Sequence, residues 1–154
     1  VAAGTIYCHF RSRDVLINEV YGEIEERITA FLQDGYLVET PLRERFLHLV
    51  TGLLRYFMSH PLDFRYLEQF HNSPYGAAFR RDTCLGKSDH NIYMDLFEQG
   101  ISQGVIQDLP LFVLAALTFG PLISIMRDHI LGFVTLDERL IEKIAASCWE
   151  AVRR

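Results

Sequence analysis

Apolar residues recur at helical spacing along most of the chain, and the first clear series takes every fourth position from residue 16 to residue 32. Polar and acidic residues fill the intervening positions, so the series predicts an amphipathic helix from Ser12 to Leu32. The residues that define this stripe are Leu16, Val20, Ile24, Ile28 and Leu32.

The rest of the chain keeps the same period. A broad apolar face from Leu42 to Phe57 predicts a second long helix, which ends before His60-Pro61 because the residue before a proline disfavours helical geometry. Pro61 can itself begin the next short helix. Further helical series run over Tyr75–Cys84, Tyr93–Ile101, Leu109–Met126 and Leu140–Val152. No stretch alternates convincingly with a period of two, so the predicted fold class is all-α.

Residues that commonly cap helices stand before several of these series. Ser12 is the predicted N-cap of the first long helix, and Ser88 or Asp89 is the predicted cap of the helix that contains Tyr93. Thr135 and Glu138 have the spacing of a capping box before the last helix.

Composition is that of a folded protein with no unusual charge. Of 154 residues, 49% are hydrophobic and 23% are charged, and the net charge is −5. Any nucleic-acid-binding surface must therefore be local rather than general. The three cysteines, Cys8, Cys84 and Cys148, are far apart and form no CxxC pair, which indicates reduced thiols in a cytoplasmic protein.

Catalytic and metal-binding patterns are weak in this sequence. The six histidines show neither HxxxH nor HExxH spacing, so we expect no metal site and no cofactor. Asp128 and His129 are adjacent, but neighbouring residues of a helix point in different directions. We therefore expect that the protein is not an enzyme, although a helical enzyme with an aromatic pocket is kept as an alternative.

The apolar segment from Leu109 to Met126 carries no charge and is nearly long enough to cross a bilayer. It contains Gly120-Pro121 and is followed at once by Arg127, Asp128 and His129. A helix that is buried on most sides gives the same pattern, so we favour that interpretation and expect no membrane partner. A membrane-associated helical protein remains the second alternative.

The segment Gly4–Leu16 reads Gly-Thr-Ile-Tyr-Cys-His-Phe-Arg-Ser-Arg-Asp-Val-Leu. Hydroxyl, phenol, imidazole and guanidinium groups in such a short segment are suited to contacts with phosphates and base edges. The segment resembles the end of the helix-turn-helix domain of TetR-type transcriptional regulators. The resemblance implies that the DNA-binding residues are Thr5, Tyr7, Cys8, His9 and Arg13, with Cys8 at a position where that family varies its base contact.

TetR-type regulators have two helices before this segment. We therefore expect that the sequence starts inside the recognition helix and that operator binding belongs to the complete protein. The predicted organisation is the end of a helix-turn-helix domain with its connecting helix in residues 1–32, then a helical ligand-binding and dimerisation domain in residues 33–154.

The helical body contains many aromatic residues, and the resemblance implies that some of them face a small-molecule effector. An apolar or amphipathic effector is expected, although plain core packing explains each residue separately. The candidate ligand-binding residues are Phe57, Tyr66, Phe70, Tyr93, Phe97, Phe119 and Met126.

The last two helices have more apolar surface than a small monomer needs, which predicts a homodimer. Packing of the same residues within one chain is the alternative. The candidate interface residues are Leu111, Leu114, Ala115, Thr118, Leu122, Ile141, Ala145, Cys148 and Trp149. The function most consistent with these observations is that of a ligand-responsive transcriptional regulator, more specifically a repressor, that binds operator DNA as a homodimer.

Overall fold

The computed structural model of the protein describes residues 12–84 and 91–154, and every regular element in these ranges is an α-helix. The helices are α1 Arg13–Gln33, α2 Leu42–Ser59, α3 Pro61–His71, α4 Pro74–Cys84, α5 Ile92–Ser102, α6 Leu111–Ile130 and α7 Glu138–Val152. The all-α prediction is confirmed, and the helices predicted from apolar periodicity match these bounds closely. An isolated antiparallel bridge pairs Ile106 with Arg153.

Helix capping agrees with the sequence at one site and differs at two. The backbone N–H of Val15 donates to the Ser12 hydroxyl at 3.2 Å, as expected for an N-cap. The cap of α5 is Asn91, whose side chain accepts from the N–H of Tyr93, so the expectation of Ser88 or Asp89 was wrong.

The cap of α7 is also a different residue from the predicted one. Asp137 accepts from the N–H of Leu140 at 2.7 Å, so the prediction of a capping box that begins at Thr135 was wrong. In both cases the residue nearest the helix has the extended backbone that an N-cap requires, and a short polar side chain.

The described part of the chain divides into two units, residues 12–30 with 62–84 and residues 31–61 with 91–154. The first unit contains most of α1 together with α3 and α4. Its apolar interior is formed by Tyr21, Ile24, Ile28, Phe64, Leu67 and Phe70.

The second unit is built around α2, which packs against α5, α6 and α7. Phe46 of α2 lies 5.3 Å from Trp149 of α7, measured between ring centroids. The chain end is held by backbone bonds, because Gln107 donates to Val152 and Arg154 donates to Val105.

A close contact within the second unit requires a glycine. A Cβ atom at Gly100 would lie 2.5 Å from the Cδ1 atom of Ile106, which is nearer than real side chains approach. Ile106 is almost fully buried, so this contact fixes the connection between α5 and α6 against the body of α5.

Helix α6 is apolar enough and long enough to cross a membrane by length and composition. Core helices of soluble proteins that are mostly buried pass the same test, but only 22% of the apolar window of α6 is buried, so the expectation of a helix buried on most sides was wrong for the single chain. The inner face of α6 packs inside the chain. That inner face consists of Leu114, Thr118, Leu122 and Met126.

Candidate functional site

Of the predicted DNA-contact residues, Thr5, Tyr7, Cys8 and His9 lie outside the described residues. Arg13 is the first residue of α1 and its side chain is exposed. It therefore lies at the amino end of a helix, where exposed basic groups and free backbone N–H groups can both meet phosphate.

Three side-chain contacts fasten α1 to α3 and α4 within the first unit. The Tyr66 hydroxyl donates to the backbone carbonyl of Ile17 at 2.6 Å. The Tyr75 hydroxyl donates to the Asp14 carboxylate at 2.6 Å, which raises the pKa of Tyr75. The helix that begins within the predicted DNA-contact segment Gly4–Leu16 is therefore held at its first and second turns by side chains from later helices.

The third contact lies further along α1. Arg27 places one guanidinium nitrogen 3.2 Å from each carboxylate oxygen of Asp63. Arg27 is about half exposed, so solvent screens the pair and its main effect is to fix the register of α1 against α3.

An aromatic cluster lies in the first unit, with Tyr21 and Phe70 buried and with Phe79 and His71 at its exposed edge. The Tyr21 ring stacks on the Phe70 ring with centroids 4.0 Å apart, and Phe79 packs 5.0 Å from Tyr21. The His71 ring meets Tyr21 edge-on at 5.7 Å, and burial, with a smaller effect of Arg80, lowers the pKa of His71. Phe70, a predicted ligand-binding residue, is thus part of a packed cluster.

The half-buried carboxyl group of Glu25 adjoins this cluster. Burial raises the pKa of Glu25, while a hydrogen bond from Tyr21 acts in the opposite direction. Tyr21 and Glu25 are four residues apart on one face of α1. Neither residue was proposed as functional from the sequence, because Glu25 lies among the polar positions between the apolar residues of α1.

The remaining predicted ligand-binding residues belong to the second unit. Phe57, Phe97 and Met126 are buried there. Tyr93 and Phe119 are half-buried, and their rings meet edge to face with centroids 4.7 Å apart. The Tyr93 hydroxyl also donates to the Leu49 carbonyl at 3.4 Å. Tyr66 and Phe70 belong to the first unit, so the predicted set falls into two groups.

Most of the predicted dimer-interface residues are buried within the single chain. Leu111 and Ala115 are half-buried, and the other seven residues pack α6 and α7 into the core of the second unit: Leu114, Thr118, Leu122, Ile141, Ala145, Cys148 and Trp149. The Cys148 thiol lies 3.8 Å from the Thr118 carbonyl, and burial raises the pKa of that thiol. These residues hold α6 and α7 together inside the chain.

The outer face of α6 is apolar and exposed. Phe112, Val113, Leu117 and Ile123 each expose about two-fifths of their surface. An open groove of about 310 Å³ lies beside this face, between α6 and α7. Its lining consists of Leu117, Pro121, Ile125, Leu140, Lys143, Ile144, Ser147, Cys148 and Ala151.

Most of the chain, from residue 41 to residue 153, carries a recognisable family pattern. The family model described as "Tetracyclin repressor-like, C-terminal domain" matches residues 41–153, which is well over half of the sequence. The chain belongs to the TetR family. The resemblance first seen in Gly4–Leu16 is thereby confirmed by a separate part of the sequence.

Individual proteins that the chain is similar to are consistent with this family assignment. The chain is 24% identical to an HTH-type transcriptional regulator of Haemophilus influenzae, over the whole of this chain and 80% of that protein. It is 30% identical to a TetR family protein from Vibrio parahaemolyticus with a solved structure, at a TM-score of 0.72, over 100% of this chain and 82% of that one.

The fold is also that of more distant TetR-family structures. The TM-score is 0.79 to a transcription regulator from Marinobacter aquaeolei, at 20% identity over 99% of this chain and 79% of that one. These relatives are transcriptional regulators, so this TetR-family chain is a regulator and not an enzyme. Within the described residues, no three His, Cys, Asp or Glu side chains are grouped as metal ligands would be.

Proposed function

We propose that this TetR-family regulator represses transcription as a cytoplasmic homodimer that binds operator DNA and responds to a small apolar or amphipathic effector. The observation that carries the proposal is the combination of the family match over residues 41–153 with the DNA-contact segment Gly4–Leu16. Each part of the proposal has its own structural support.

For DNA binding, the proposed contacts are Thr5, Tyr7, Cys8, His9 and Arg13. Arg13 supports this assignment because it is exposed at the amino end of α1. In a dimer, two such segments enter successive major grooves, so the operator is expected to be a palindrome with half-sites one DNA turn apart.

For dimerisation, the proposed interface is the outer face of α6 together with the groove beside α7. The buried residues predicted from the sequence then form the layer beneath that face and support it. Gly120 favours this arrangement, because a Cβ atom there would meet nothing within 4 Å in the single chain. The absence of a side chain at this exposed position would let a second helix approach closely.

For effector binding, the proposed residues are the two aromatic groups already described, one in each unit. In the first unit, Tyr66 and Phe70 lie on α3, and Tyr66 also contacts the backbone of α1. An effector that displaces α3 would therefore pull on Ile17 and reorient the helix that begins at Arg13. Glu25 would favour an effector with a polar or cationic group next to its apolar body.

The test uses the chain with the complete helix-turn-helix domain. Selection from a pool of random DNA duplexes, followed by footprinting, should yield a palindrome with two protected half-sites. Sedimentation should give two chains per duplex. Compounds that raise the melting temperature should then change operator affinity. Failure to enrich any DNA sequence would contradict the regulator mechanism, and one chain per duplex would contradict the homodimer.

A further inference from the structure

Arg45, in the first turn of α2, is a buried charge held only by neutral groups. Its side chain is 6% exposed. Its Nε donates to the Tyr36 hydroxyl at 3.0 Å, and its Nη1 donates to the Gln99 side-chain oxygen at 2.7 Å. The guanidinium carbon also lies 5.3 Å from the centre of the Tyr36 ring. All three residues belong to the second unit.

Buried charges in proteins are normally paired, because removal of an ion from water is costly. The ion pairs of the described residues do not include Arg45. A guanidinium has five N–H donors. Two of them are used by Tyr36 and Gln99, and the other three have no acceptor among residues 12–84 and 91–154. The positive charge of Arg45 is therefore not neutralised by any described residue.

The unused donors remain in reach of solvent. In the described part of the chain, the Thr118 hydroxyl is the one side-chain polar atom that is both shut off from solvent and without a hydrogen bond. The Nη2 atom of Arg45 has no hydrogen bond to these residues either, so it must retain some contact with solvent. A small anion that binds Arg45 would have to meet the guanidinium at this unused edge.

The surroundings select the kind of anion. The partners of Arg45 are a phenol and an amide, so the local charge is a single positive one, which a singly charged anion balances. The planar guanidinium fork matches the two oxygens of a carboxylate. The two residues after Tyr36 are Leu37, which is 59% exposed, and Val38, which is 63% exposed. Both are apolar, so the surface beside the site favours an anion with an apolar body.

The arginine is also held in a fixed position. The Tyr36 ring packs 5.9 Å from the His48 ring, and His48 is in turn bonded to the Leu32 carbonyl at 2.9 Å. A fixed guanidinium loses little side-chain freedom when it binds a ligand. We propose that Arg45, Tyr36 and Gln99 form a binding site for the carboxylate group of a small organic monoanion with an apolar body.

This inference goes beyond the proposed function, since the site would bind a carboxylate whether or not the chain contacts DNA. The competing possibility is that Arg45 only cross-links α2, α5 and the loop at Tyr36. The two possibilities differ in their response to an added carboxylate. A cross-link alone gives no saturable response, whereas a binding site does.

The experiment is a titration of the full chain with sodium hexanoate at constant ionic strength, with sodium chloride as the reference salt. Melting temperature and the side-chain NMR resonances of arginine are recorded together. We expect a saturable response with a dissociation constant of about 1–10 mM. We also expect the Arg45 Nε–H resonance to move, and chloride to produce neither effect.

Gln99→Glu is the decisive variant, because it is nearly isosteric and places a carboxylate of the chain itself against the guanidinium. We expect it to fold and to lose the response to hexanoate. Gln103→Glu adds the same charge at the end of the same helix, at an exposed position, and should respond like the unmodified chain. Arg45→Lys keeps the charge without the fork and should bind at least about tenfold more weakly.

Two results would overturn the proposal. One is the absence of a saturable response in the unmodified chain. The other is an equal response of the unmodified chain and Gln99→Glu, which would place the hexanoate elsewhere. Operator binding is not measured in this experiment, so its outcome is separate from that of the proposed function.

Discussion

The hydroxyl of Tyr66 donates a 2.6 Å hydrogen bond to the backbone carbonyl of Ile17. This bond joins α3 to the second turn of α1, and the first turn of α1 is the end of the predicted DNA-contact segment Gly4–Leu16. Together with the bond from Tyr75 to Asp14, it means that the start of α1 cannot rotate without breaking contacts to later helices. A movement of α3 would therefore be passed to the start of α1, where Arg13 lies.

The first prediction concerns this bond. Tyr66→Phe removes the hydroxyl and leaves the ring, so we expect a loss of about 1 kcal/mol in the free energy of unfolding. Urea denaturation followed by circular dichroism measures the change. The matched comparison is Tyr75→Phe, whose bond to Asp14 is exposed and should contribute less. An equal or larger loss for Tyr75→Phe would contradict this ranking.

The second prediction is a pH dependence that comes from His71. Burial lowers the pKa of His71, so below pH ~6.5 the unfolded chain binds a proton more readily than the folded chain. The contribution of His71 to stability is therefore retained above that pH and is lost as the pH falls below it. Melting temperatures recorded from about pH 7.5 down to about pH 5 measure the effect. His71→Gln should flatten the dependence of the melting temperature on pH. An unchanged pH dependence in this variant would show that His71 is not its cause.

The third prediction separates the inner and outer faces of α6. Leu122 is buried, so Leu122→Ala should cost about 2–5 kcal/mol in the free energy of unfolding. Leu117 is 37% exposed in the single chain, so Leu117→Ala should cost far less at concentrations where the chain is monomeric. Chemical denaturation at low protein concentration tests both. Similar losses for the two variants would show that the faces are wrongly assigned.

The fourth prediction tests the proposed dimer face at Gly120. A leucine there has open space in the single chain but would block a closely packed partner helix. Gly120→Leu should therefore leave the monomer folded and weaken dimerisation by about tenfold or more, which corresponds to roughly 1.4 kcal/mol. Sedimentation equilibrium measures this. Gly22→Leu is the control, because Gly22 also has open space around its Cβ position. Equal dimerisation of both variants would place the interface elsewhere.

The helices could be predicted from the sequence because their apolar residues recur at helical spacing. Ser12 was found as a cap because few other candidates surrounded it, whereas Asn91 and Asp137 were missed beside competing polar residues. The inner and outer faces of α6 could not be separated, because that helix is apolar on nearly all sides. Only the positions of α2 and α7 show that Leu122 is covered and that Leu117 is exposed.

Sequence reasoning was limited in a similar way at Arg45 and Glu25. Each looks like an ordinary charged residue on an amphipathic helix, and only the packing of distant segments shows that Arg45 is buried and that Glu25 is half-buried. Gln99 is far from Arg45 in the sequence, so nothing in the local pattern joins them. The family resemblance was easier to detect, because the residues that carry it in Gly4–Leu16 follow one another at fixed short spacings.

In the proposed function, the segment Gly4–Leu16, which ends in the first turn of α1, reads DNA for a dimeric regulator. The most direct measurement is operator affinity of the chain with its complete helix-turn-helix domain, for Arg13→Ala and Tyr7→Ala, with sedimentation in parallel. Each variant should bind the operator about tenfold more weakly, and Arg13→Ala should also reduce the salt dependence by about one counterion. Both should remain dimers, and Arg43→Ala should bind normally. Unchanged operator affinity for both variants would contradict the account.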